Sequence, residues 1–315
     1  MIEAPDVERL MAGPLGQWLA VQAGVRVAAK AKSNWRFTWS AAVLMPVLAL
    51  LWFGFDWAGG VQVLLSMVLL VGAGVWSYAP RAQAIKETKS GINAALADAL
   101  GIAYSHDCPA GHGFNRALAH KMLPSHDRAN FEDLWHGELA GQAFTLHEAH
   151  LEEERGSGKN RHWVTVFRGP IITLGFARNF HGVTLVERSG RHKKFGFFGE
   201  KDELKMEDGT VLAKADMVHP DFEDAFTVFT TDQVEARYLV HPTYIERLIA
   251  LEASFTGQNI RTLFRDGELT VVLKTDNMFE SGSLDARRDR EMVEMCVAQF
   301  MAMAGLAQSL NEMGR

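Results

Sequence analysis

The fold is decided by residues 37–55, FTWSAAVLMPVLALLWFGF, and residues 57–80, WAGGVQVLLSMVLLVGAGVWSYAP. Asp56 is the only charged residue between Phe37 and Pro80. Each run is about 20 residues, the length of helix that crosses ~30 Å of hydrocarbon at ~1.5 Å per residue. Between them, Asp56-Trp57-Ala58-Gly59-Gly60 gives room for a tight reversal. The pattern predicts a transmembrane helical hairpin, with the chain after Arg81 as the domain it tethers. Buried helices of a soluble core average about 11 residues and keep a polar stripe, and these runs do neither. Trp35, Trp39, Trp52, Trp57, Trp76 and Tyr78 lie at or near the ends of the runs, as an interfacial aromatic belt requires. Pro46 removes one backbone donor inside the first run. A cleavable signal peptide is not expected, because the first run starts too far along the chain and is too long.

The flanks predict orientation. Arg26, Lys30, Lys32 and Arg36 precede the first run, and Arg81, Lys86 and Lys89 follow the second. The connecting loop carries no Lys or Arg, so both termini are expected in the cytoplasm of a cell bounded by an inner membrane. Cys108 and Cys296 are the only cysteines among 315 residues, too few for a disulfide framework. The net charge is −6, which leaves no basic footprint for nucleic acid.

Outward from the hairpin, residues 1–34 are predicted as an amphipathic segment interrupted at Gly13-Pro14. Val7, Leu10, Met11, Trp18, Leu19 and Val21 give it an apolar face, directed at the membrane surface or at the protein's own domain. Residues 81–101 read as a juxtamembrane helix, weakened at Gly91 by about 1 kcal/mol relative to Ala. Residues 102–284 form an α+β domain with a mainly antiparallel sheet. Strands are predicted at Phe144–Leu151, His162–Phe167, Ile171–Phe176, Val183–Glu187, Val211–Ala215, Phe226–Phe229, Ile260–Phe264 and Leu269–Lys274. Asp266-Gly267 suits a type I′ hairpin turn. Asp232 with Glu235 three residues on forms a capping-box start, and a second helix follows from Tyr244 to Ala253. Arg237 is expected half-buried against a carboxylate. Residues 285–315 form a long C-terminal helix. Its Met- and Ala-rich half, Val297–Leu310, either packs over the sheet or provides a self-association surface for a homo-oligomer.

Four strings carry a family resemblance: VTVFRGP at 164–170, FHGVTLV at 180–186, DFEDAFTVF at 221–229 and DQVEARYL at 232–239. With the hairpin, they make residues 35–280 resemble a bacterial family of membrane-anchored domains of unknown function. The resemblance implies a two-span anchor and a cytoplasmic α+β domain, and it implies no catalytic residue.

Eight of the twelve histidines fall between His106 and His162. His106, Cys108, His112, His147 and His150 are the candidate metal ligands of a membrane-tethered hydrolase. Against that reading, His147 and His150 are three apart, where the helical zinc-protease motif needs four. On a strand they would face opposite sides. Residues 154–160, ERGSGKN, lack the first glycine and the final Ser/Thr of a phosphate loop, and no nucleophile elbow is present. No cofactor is therefore expected. The favoured function is a non-catalytic module that binds a partner protein or anionic lipid at the cytoplasmic membrane face. For the lipid, the candidate loop holds Arg188, Arg191, Lys193 and Lys194 followed by Phe195, Phe197 and Phe198. Each Lys or Arg near an anionic leaflet gains roughly 1 kcal/mol.

Overall fold

A computed structural model describes residues 4–55, 57, 59–139, 141–176, 180–191, 201–217, 225–275 and 282–312. The chain divides into two compact units. One comprises Asp6–Ala95 and Glu280–Glu294, and the other Leu96–Phe279 and Met295–Arg315 together with Met1–Pro5.

The first unit is helical. Helix α1 (Val7–Ala12) starts at Asp6, whose carboxylate accepts from the amides of Glu8 and Arg9. Gly13 ends it, and Pro14 opens α2 (Pro14–Phe53), where a missing N–H costs nothing. Helix α3 (Gly59–Leu100) runs through Pro80. The juxtamembrane segment is therefore a continuation of the second apolar run rather than a separate element. Gly91, unfavourable for a helix in isolation, is explained by Trp18: a Cβ there would lie 2.0 Å from the indole ring.

Polar side chains join α2 to α3 at intervals. Arg81 donates to Asn34 Oδ1 at 2.5 Å, Arg36 donates to the Trp76 carbonyl at 2.9 Å, and Ser40 and Ser77 pair at 3.1 Å. Further along, Trp52 Nε1 donates to Ser66 Oγ at 3.1 Å. The Gln62 amide donates to the carbonyls of Leu51, in the last turn of α2, and Phe55, just beyond it. Arg26, read from the sequence as a flanking cation, is buried. Its guanidinium makes two 2.6 Å bonds to Asp289 and a 3.0 Å bond to the Ser283 carbonyl.

The second unit is α+β, built on a ten-stranded antiparallel sheet ordered β1-β2-β3-β4-β10-β9-β5-β8-β7-β6. Its strands are β1 (Ala103–Asp107), β2 (Arg128–Leu139), β3 (Gln142–Arg155), β4 (His162–Gly175) and β5 (Thr184–Arg188). They continue with β6 (Glu203–Lys205), β7 (Val211–Ala215), β8 (Phe226–Thr230), β9 (Gln258–Arg265) and β10 (Glu268–Lys274). The helices are α4 (His112–Ala119), α5 (Gln233–Leu239), α6 (Pro242–Ser254) and α7 (Asp289–Glu312), which begins in the other unit. The β9–β10 turn has Asp266 and Gly267 at φ 54° and 73°, the positive angles that Asp-Gly tolerates.

Two differences from the sequence reading concern the sheet. His162–Phe167 and Ile171–Phe176 are one strand. Gly169, at φ 149°, lets β4 pass so close to β10 that a Cβ would lie 2.0 Å from the Leu273 carbonyl. Strands β1, β2 and β6 and helix α4 are not among the elements expected from the sequence; β1, β6 and α4 span only five, three and eight residues. In β2 the pairing with β3 shifts at Asp133, whose φ is 57°.

Both sheet faces are covered. On one, Phe114 and Ala117 of α4 pack with Leu151, Phe167, Leu185, Leu263 and Phe229. On the other, Tyr244 of α6 bonds Thr262 at 2.6 Å and stacks near Phe264, while Phe300 of α7 meets Trp135 at 4.6 Å. Val297, Phe300, Met303, Ala304, Leu306 and Ala307 are buried. The Val297–Leu310 stretch thus spends these apolar side chains inside the chain.

Candidate functional site

The candidate metal ligands are not brought together. Among the described residues, no group of three or more His, Cys, Asp or Glu is placed to hold a metal ion. His106 Nδ1 lies 3.1 Å from Asp133 Oδ1, and His112 faces Glu268 at 3.5 Å. His150 bonds the Thr165 hydroxyl at 2.8 Å, while its strand neighbour His147 is buried beside Phe131. Burial pushes the His147 imidazole down to about 4. Cys108 is the opposite of an activated nucleophile. Burial, with Asp133, Asp107 and Glu132 nearby, raises its thiol to about 11.

Of the lipid-docking loop, Arg188 and Arg191 are described; Lys193, Lys194, Phe195, Phe197 and Phe198 lie outside the described residues. Arg188 pairs with Glu252 and sits 4.3 Å above the Phe226 ring. Arg191 pairs with Glu187 at 3.3 Å and donates to the Lys121 carbonyl at 3.1 Å. Both guanidiniums are engaged within the domain.

That last bond leads to a cleft of about 360 Å³ on the α4 side of the sheet. Leu185, Leu204 and Met206 give it buried apolar walls. Among the described residues, His120, Lys121, Lys201 and Lys205 line it, with Glu203 as the one carboxylate. The cleft is therefore locally basic in a chain of net charge −6.

Its geometry follows from the end of α4. The Met122 amide bonds the Ala117 carbonyl at 2.9 Å and the Lys121 amide bonds the Leu118 carbonyl at 3.0 Å. These are the two bonds of a Schellman ending. Lys121 occupies its left-handed position at φ 56°, where glycine is usual. The turn is fastened from outside: Arg191 donates to the Lys121 carbonyl and Arg261 to the Met122 carbonyl. Both arginines face the buried Glu187 carboxylate, at 3.3 and 3.9 Å. The Lys121 ammonium donates to the Lys205 carbonyl at 2.8 Å. His120 Nδ1 lies 2.7 Å from the Arg116 carbonyl and Nε2 lies 2.6 Å from Arg265 Nη1. Nδ1–H is therefore the donor to the carbonyl and Nε2 the acceptor from arginine, a neutral imidazole, in keeping with burial lowering its pKa.

Sequence reasoning missed this cleft because its lining comes from three separated stretches, none of them a motif. The unusual signal is a lysine, not a glycine, at the end of a short helix.

A second construction unites two of the quoted strings. Asp232 caps α5 through the amides of Val234 and Glu235, but Glu235 does not complete the capping box. Its carboxylate instead accepts from the amides of His181 and Gly182, at 3.0 and 2.7 Å. A Cβ at residue 182 would sit 2.6 Å from that carboxylate, so a side chain there would push the clamp aside. Arg237 is exposed and donates to the Asp216 carbonyl at 3.2 Å, in place of the carboxylate pairing expected.

No curated protein matches the chain. Among solved structures, the crystal structure of the mycobacterial trehalose monomycolate transport factor A, TtfA, aligns over 66% of this chain and 95% of that chain. The identity is 10% and the TM-score 0.33, too low to transfer fold or function. The family model described as “Protein of unknown function (DUF3137)” matches residues 165–312, from β4 to the end of α7.

Proposed function

We propose that this protein is a membrane-anchored, non-catalytic binding module: a two-span hairpin holding an α+β domain at the cytoplasmic face of the inner membrane. The observation that carries the reading is the exposure of α2 and α3. They are 40 and 42 residues long, and only 6% of each apolar 18-residue window is buried. Trp39, Met45, Phe53, Met67 and Val71, among others, are exposed. An apolar surface of this extent requires a partner phase, and hydrocarbon is the one its length fits. The hydrogen bonds between α2 and α3 support the same reading, since polar groups within a bilayer are satisfied between helices.

The test is extraction of membranes with alkaline carbonate, followed by reporter fusions after Arg81 and at Arg315. The chain should remain in the pellet and both fusions should report the cytoplasm. Release by carbonate would refute the anchor, and an externally active fusion at either point would refute the orientation.

A further inference from the structure

We propose that the cleft bounded by Lys121, Lys201 and Lys205 is a binding site for a phosphate group, carried as a monoester or diester. It neither uses nor requires the hairpin, and it supplies the module with a ligand class.

Three observations converge on it. First, the sign of the charge is local: among the described residues, three lysines and one carboxylate line a concave surface on a protein that is acidic as a whole. Among the described residues no carboxylate pairs with Lys201 or Lys205, and both side chains are exposed. Second, one cation is positioned in advance. The Lys121 ammonium is held on the Lys205 carbonyl, which uses one of its three N–H donors and leaves two for a ligand. Holding a flexible side chain beforehand removes part of the ordering cost of binding. Third, that lysine occupies a backbone position where glycine is usual. A left-handed backbone disfavours every residue with a Cβ, and strained positions of this kind cluster where a side chain has a task. Arg191 and Arg261 hold the turn from behind, with the buried Glu187 between them.

The chemistry of the ligand follows from the donors. Lysine ammoniums act as point charges, and several converging on one site suit a tetrahedral anion with several equivalent oxygens. The volume, about 360 Å³, falls in the range of small-molecule pockets and admits a phosphate with a small organic body. Leu185, Leu204 and Met206 would contact that body. A soluble phosphate ester and a phospholipid headgroup both present this group.

The full chain in neutral detergent micelles is titrated calorimetrically with inorganic phosphate and with glycerol 3-phosphate. It is then titrated with mixed micelles containing phosphatidylglycerol or phosphatidylcholine. Saturable binding of a soluble phosphate, or selective binding of phosphatidylglycerol, supports the site and identifies the source. Two variants decide whether the cleft is responsible: Lys121→Gly, and Lys201→Gln combined with Lys205→Gln. Each is expected to weaken binding at least tenfold. Lys121→Gly should also melt no lower than the unmodified chain, since glycine relieves the left-handed residue; a structural lysine would give the reverse. If that variant fails to fold, the double glutamine variant decides alone. Absence of saturable binding to every probe, or binding unchanged in the folded variants, overturns the proposal. Neither result bears on the anchor, which the carbonate extraction tests separately.

Discussion

Removing the carboxylate of Asp289 is the perturbation with the largest expected effect on stability. Arg26 and Asp289 are 263 residues apart in sequence and form a bidentate pair with both bonds at 2.6 Å. Their side chains are 0% and 6% exposed. At ~4 Å between charge centres and an effective dielectric of ~20, the attraction is about 4 kcal/mol. Most of that offsets the desolvation of two ions, so the pair itself adds little net stability. Breaking it is different, because Asp289→Ala leaves a guanidinium inside the protein with only the carbonyls of Gln22, Leu19 and Ser283 as partners. Such an uncompensated charge costs about 3–5 kcal/mol. At ~2 °C per kcal/mol, the low end suited to a long chain, thermal unfolding in neutral detergent should fall by roughly 6–10 °C. Hydrogen exchange should locate the loss at residues 19–26 and 283–293. The double variant Arg26→Met with Asp289→Leu should recover most of the stability, since apolar replacement of a buried pair is often neutral. A drop below about 2 °C in Asp289→Ala, or no recovery in the double variant, would refute the account of a desolvated pair.

Other consequences are as direct. Glu235→Ala should speed amide exchange at His181 and Gly182 and cost about 1–3 kcal/mol, because two backbone donors lose a charged acceptor. Gly182→Ala should be damaging alone and less so in a Glu235→Ala background, as measured by thermal unfolding, because the added Cβ meets that carboxylate. With its thiol near 11, Cys108 should alkylate ~10²-fold more slowly at pH 8 than a free cysteine, read by peptide mass spectrometry. The rate should rise about tenfold per pH unit up to pH ~11 and increase at pH 8 in Asp133→Asn. His147 is lowered from 6.5 to about 4, so the folded state binds fewer protons than the unfolded state. Its stabilising contribution is complete above pH ~6.5 and declines as pH falls to ~4, by about 3 kcal/mol in all. His147→Met should flatten the stability profile across that window, and an unchanged slope would show that other groups govern it.

Features that depend on neighbours along the chain are legible in the residues alone. Two long uncharged runs could only be long apolar helices, because composition alone fixes their solvent preference. Asp266-Gly267 set its turn and Asp232 its helix start, since each acts within a few residues through its own backbone preference. Their spacing of three on β3 put His147 and His150 on opposite sides of the strand, so the separation of two suspected ligands was also legible, whereas the burial of His147 was not. Tertiary structure decided what depends on register between distant segments. It joined two expected strands at Gly169 by bringing Leu273 against it, and it turned Glu235 from a capping residue into a clamp on residues 181–182. It drew Arg26 out of the set of flanking cations by placing Asp289 against it. The basic cleft belongs to the same class. Lys121, Leu185, Lys201 and Lys205 have no common pattern in sequence, and become neighbours only because α4 packs on β4 and β10 and the turn that ends it meets β5 and the segment around β6. Local patterns specify backbone conformation and burial, whereas the pairing of charges across the fold is fixed by which strands hydrogen-bond, and that is a property of the whole chain.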